Sequence, residues 1–121
     1  MTTSSGPGPT SMRFALHEVL SGMLGTIQSD SFTDDPKLLA AVFEELAGRF
    51  PLFAPFGAGV DAEAVSKALE ALEKNNIIEH GEGRYTLTAT GRSYCVSGKR
   101  TLFNKRDIQQ LEEAAPVFDA L

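Results

Sequence analysis

The chain has 121 residues, of which 42% are hydrophobic and 22% charged, the proportions of a globular protein with one domain and a single modest core. Its net charge of −5 argues mildly against a non-specific polyanion binder. The single cysteine, Cys95, excludes an intramolecular disulfide and fits a reducing cytoplasm. No apolar run reaches the roughly 20 residues that span a membrane, so no membrane partner is expected.

Residues 1–11, "MTTSSGPGPTS", are Gly, Pro, Ser and Thr after the initial Met. With almost nothing to bury and neither a basic nor an apolar leader region, they predict a disordered tail rather than a signal peptide. The domain proper is expected over 12–100. A helix from Met12 to about Gln28 carries Phe14, Val19, Leu20, Met23, Leu24 and Ile27 on one broad apolar face. "SDSFTDDP" predicts a loop that delivers Asp34 or Asp35 as N-cap and Pro36 as first residue of a second helix, to about Arg49. The next segment, "FPLFAPFGAGV" over 50–60, is apolar but broken by prolines and glycines. Its aromatics either plug the core or, if exposed, offer a protein-partner patch through Phe53 and Phe56.

Asp61 caps a third predicted helix to about Asn75, whose Val65, Leu69 and Leu72 form a buried stripe. Asn75 or Asn76 closes it in the left-handed conformation. Residues 77–80 and 84–88 read as strands about the turn Gly81-Glu82-Gly83. Thr88 or Thr90 then caps a short helix ended by Gly98. The last predicted helix starts after Asn104 and stops at Pro116, within a C-terminal element spanning 101–121.

Charge is unevenly spread. Residues 1–83 hold 5 Lys/Arg against 12 Asp/Glu, whereas all six basic residues after them (Arg84, Arg92, Lys99, Arg100, Lys105 and Arg106) precede the next acid, Asp107. The basic span is either a solvated face beside an acidic body or a footprint for phosphate.

The stretch "VSKALEALEKNNIIEHGEGRYTLTATGRSY", residues 65–94, places Leu69, Leu72, Asn76 and Ile78 before Leu87, Thr88, Gly91 and Arg92. It resembles the recognition-helix-to-wing segment of bacterial winged-helix regulators of the PadR and MarR type. The resemblance implies a mainly α fold with a small β-hairpin wing: a winged helix-turn-helix domain with an extra C-terminal helix. It makes helix 61–75 the recognition helix, though Asp61, Glu63 and Glu70 on its outer face depart from a DNA reader. The nucleic-acid contacts it implies are Ser66, Lys67 and Arg84, extended by Lys99, Arg100, Lys105 and Arg106 if these fold onto the same face.

Two functional readings follow, and the sequence favours the first. One is a small DNA-binding transcriptional regulator acting as a homodimer on double-stranded DNA, associating through Ile108, Leu111, Ala115, Phe118 and Leu121. The other is a winged-helix interaction module or adaptor that binds a protein and not DNA. For the C-terminal stripe, burial within the chain against helix 12–28 is the alternative to a dimer interface. No cofactor is implied. His17, His80 and Cys95 lack metal-ligand spacing, and no nucleophile, base and oxyanion donors assemble, so neither a metal site nor an enzyme is expected.

Overall fold

The computed structural model describes residues 14–57 and 60–121; the tail 1–11 and the predicted helix start at Met12 lie outside them. The described residues form five helices and a three-stranded antiparallel sheet. Helix α1, Leu16–Leu24, opens after Ala15, whose N–H donates to Glu18 Oε1 at 2.8 Å. It ends at Gly25, short of Gln28. Strand β1, Ser31–Thr33, lies where the sequence predicts a loop. Three residues are too few to show alternation; pairing with another strand defines them. Helix α2, Pro36–Ala47, is capped by Asp35, whose carboxylate accepts from Lys37 N at 3.0 Å and Leu38 N at 3.4 Å. A single 3₁₀ turn, Ala54–Phe56, follows.

Helix α3 spans Ala62–Lys74. Asn76 closes it at φ 61°, while the Ile77 N–H reaches Leu72 O and the Asn76 N–H reaches Glu73 O, both at 3.0 Å. This Schellman closure places Ile77 over Leu72, both buried, and feeds strand β2, Ile78–Gly81. Strand β3, Arg84–Leu87, pairs with β2 on one edge and β1 on the other. The hairpin turn contains two residues, not three: Gly81 pairs with Arg84, and Glu82 (φ 56°) with Gly83 (φ 77°) makes the turn. Two positive φ values suit the right-handed twist of the strands.

Helix α4, Ala89–Leu102, is capped by Thr88, not Thr90, and runs through Gly98 rather than ending there. Helix α5, Lys105–Asp119, likewise runs through Pro116. Its last turn persists beyond the proline because Phe118 is buried and the Asp119 carboxylate accepts from Ser29 N at 2.9 Å and Gln28 N at 3.1 Å.

One core joins all these elements. Leu20, Met23 and Leu24 meet Leu39, Phe43 and Leu46 of α2, Val65 and Leu69 of α3, and Leu111 and Phe118 of α5. Each such side chain contributes about 1.5–3 kcal/mol on leaving water. Phe32 of β1 is wedged between Tyr85 and Phe118, at ring-centroid distances of 5.7 and 5.4 Å.

Candidate functional site

Helix α3 is the helix that the resemblance over residues 65–94 would make the recognition helix. Its Val65, Ala68, Leu69 and Leu72 are buried, so period 3.6 leaves Asp61, Glu63, Lys67, Glu70, Glu73 and Lys74 toward solvent. Ser66 is half-buried. Asp61 is partly committed, since its Oδ1 accepts the Ala64 N–H at 2.9 Å. The negative field of this face extends to the hairpin: the Tyr85 hydroxyl is raised above its ordinary pKa by burial first, then by Glu73, Asp34 and Glu70. His80 stacks on Tyr85 at 4.6 Å, and its Nε2 lies 2.7 Å from Asp34 Oδ2, tying β2 to the β1–α2 loop.

The predicted basic contacts divide into two sets. Arg84 is exposed but hydrogen-bonded to its own chain: Nε donates to Ser31 Oγ at 3.2 Å and Nη1 to Leu121 O at 3.1 Å. Lys99 is also committed, with Nζ donating to Gly25 O at 3.1 Å and Thr26 Oγ1 at 3.2 Å. Arg92, in the same basic span, donates to Ile27 O and Ser29 O, each at 3.2 Å, and to Asp30 Oδ1 at 2.7 Å. Arg92 and Lys99 staple α4 to the α1–β1 connection, and Arg84 ties β3 to β1 and to Leu121. Lys67, Arg100, Lys105 and Arg106 are exposed and have no ion-pair partner among the described residues.

Leu87, Thr88 and Gly91, which carry part of the resemblance, make contacts within the chain. Leu87 is buried, and Thr88 Oγ1 accepts the Gly91 N–H at 2.7 Å while donating to Asn76 O at 2.7 Å. Gly91 rests against the Ile77 backbone, leaving no room for a β-carbon. Cys95 receives the Ser21 hydroxyl at 3.4 Å; burial pushes its thiol pKa up, against the smaller opposing effects of Ser21 and Arg92.

Of two surfaces with a partner contact as one reading, the 50–56 aromatics take the core alternative and the C-terminal stripe is largely covered within the chain. Phe53 is 0% and Phe56 3% exposed, so neither offers a protein patch: folding of the 50–56 segment over α2 buries both. Of the proposed dimer stripe, Leu111, Ala115 and Phe118 are buried within the single chain, and Ile108 and Leu121 are partly covered. Burial within the chain, against α1 and α2, is the arrangement observed. The Leu52 N–H donates to Gln110 Oε1 at 2.8 Å from the same helix.

Two shallow grooves, of about 230 and 250 Å³, adjoin at Asn75, Ile77 and Tyr94 between α1, the end of α3 and α4. Tyr94 and Leu102 are large, exposed hydrophobic side chains on α4. The sequence reading missed Leu102 because it ended this helix at Gly98, before that turn. Among the described residues no group of three His, Cys, Asp or Glu could hold a metal ion, and no helix is long and apolar enough to cross a membrane. Comparison of the chain with protein-family models, curated proteins and solved structures gives no match.

Proposed function

We propose that the chain is a non-catalytic winged-helix module that binds a protein partner and does not read DNA bases. The succession of helices, hairpin and further helix supports the winged-helix part, since it is the order that the 65–94 resemblance implies. One observation carries the functional part. The solvent face of α3 sets Asp61, Glu63, Glu70 and Glu73 against only Lys67 and Lys74, where a major-groove reader needs to meet phosphates with cations. Arg84, the wing cation, is engaged by Ser31 and Leu121 instead.

Fluorescence anisotropy with a labelled random-sequence duplex at low ionic strength tests this. Non-specific DNA binders associate with Kd values of about 10⁻⁴–10⁻⁶ M even at physiological salt; the expected result here is no saturable binding in that range. Micromolar binding that weakens with salt, and weakens further in Arg84→Ala, would overturn it. The second reading, a winged-helix DNA-binding regulator acting as a homodimer, is favoured by Lys67, Arg100, Lys105 and Arg106, which are exposed and have no ion-pair partner among the described residues.

A further inference from the structure

The corner between α4 and α5 gathers three cations that form no ion pair among the described residues. Arg100 stands in the last turn of α4, and Lys105 and Arg106 in the first turn of α5; all three are exposed and unpaired among the described residues. The nearest acid in sequence, Asp107, is 3% exposed, and its Oδ2 accepts the Asn104 N–H at 3.3 Å beneath the corner. Within the same corner Leu102 is 41% exposed. The neighbouring Phe103 is buried against Phe14 at 4.6 Å, which fixes the corner to the body.

We infer that Arg100, Leu102, Lys105 and Arg106 form a docking site for an acidic amphipathic segment of a partner protein. Its carboxylates meet the three cations while one of its apolar side chains covers Leu102. The inference rests on the protein-interaction reading above and names the surface and the chemistry of the partner. Charge complementarity selects an anion, and Leu102 selects among anions. A DNA duplex offers phosphates but no aliphatic side chain to cover Leu102, and it extends past the corner toward a body with 12 acids against 5 bases over residues 1–83. A short acidic peptide stays within the corner. A second copy is a poorer fit: the acidic face of α3 exposes no large apolar side chain, and its Lys67 and Lys74 would oppose the corner's charge.

The probe is a fluorescein-labelled synthetic peptide repeating Glu-Glu-Leu-Leu, titrated with the full chain at low and physiological ionic strength. Saturable binding is expected, about tenfold weaker in the Arg100→Glu/Arg106→Glu double variant and weaker by several-fold in Leu102→Ser. Both variants should keep the wild-type circular dichroism and denaturation midpoint, because the side chains are exposed. Lys105→Glu alone supplies the same test should the double variant misfold, and a peptide with Lys in place of Glu should not bind. Four results overturn the inference: no saturable binding of the acidic peptide at low ionic strength; undiminished binding in Leu102→Ser, which would mean ion exchange only; tighter binding of a DNA duplex than of the peptide; or salt-dependent association of copies through the corner in light scattering. Failure of the peptide without DNA binding removes the corner and leaves the protein-interaction reading standing. Tight DNA binding removes both.

Discussion

Gly91, in the first turn of α4, sits against the backbone of Ile77: a β-carbon there would overlap the Ile77 carbonyl oxygen and stand 2.7 Å from its Cα. The contact locks the end of α3 to the start of α4, because the Thr88 N–H also donates to Ile77 O at 3.0 Å. Backbone cannot swing aside as a side-chain tip can. Gly91→Ala should therefore cost about 2–3 kcal/mol despite Ala's better helix propensity. A denaturant midpoint at or above wild type would contradict this contact.

Arg92 and Asp30 should respond unequally to mutation. The guanidinium serves three acceptors, two of them backbone carbonyls, whereas Asp30 is 72% exposed and supplies only the third. A lysine cannot span the same acceptors with one ammonium. Arg92→Lys should lower stability by about 1–2 kcal/mol after allowance for partial solvation, and Asp30→Ala by less than about 0.5 kcal/mol. Equal losses in chemical denaturation would show that the exposed ion pair, rather than the carbonyl contacts, holds the staple.

The end of α5 offers a pair of opposite changes. Pro116 removes an intrahelical N–H in an exposed position, so Pro116→Ala should raise stability by about 1–3 kcal/mol. Asp119→Ala strips the Gln28 and Ser29 N–H groups of their acceptor, and should cost about 1–2 kcal/mol. Thermal unfolding of the two single variants reads both signs.

Alkaline pH should destabilise the fold in two stages. Burial lifts the Cys95 thiol above its ordinary value of 9.0 and the Tyr85 hydroxyl above 10.0. A folded state that holds a proton more tightly than the unfolded chain is stabilised fully below the unfolded pKa. That stabilisation is lost as pH rises through the folded value. Denaturation midpoints should thus begin to fall above about pH 9, and Cys95→Ala should move the onset toward about pH 10. An unchanged onset in the variant would exclude the thiol as the first group to ionise.

The sequence by itself determined the elements whose signals are local. Asp35 before Pro36, Asp61 before the Val65–Leu69–Leu72 stripe, and Asn104 three residues before Asp107 are caps that satisfy orphan N–H groups within one turn. Asn76 shows its left-handed role because few residues other than glycine adopt it cheaply. Tertiary structure decided what depends on distant chain. Strand β1 exists because β3 pairs with it, and α5 passes Pro116 because Gln28, Ser29 and the core hold its last turn. Charge composition marked residues 84–106 as basic, but only the fold separated Arg84, Arg92 and Lys99, which donate to oxygen acceptors within the chain, from Arg100, Lys105 and Arg106, which are exposed with no ion-pair partner among the described residues. A cation's sign is written in its residue type; whether it is available to a partner depends on which acceptors the folded backbone brings within its reach.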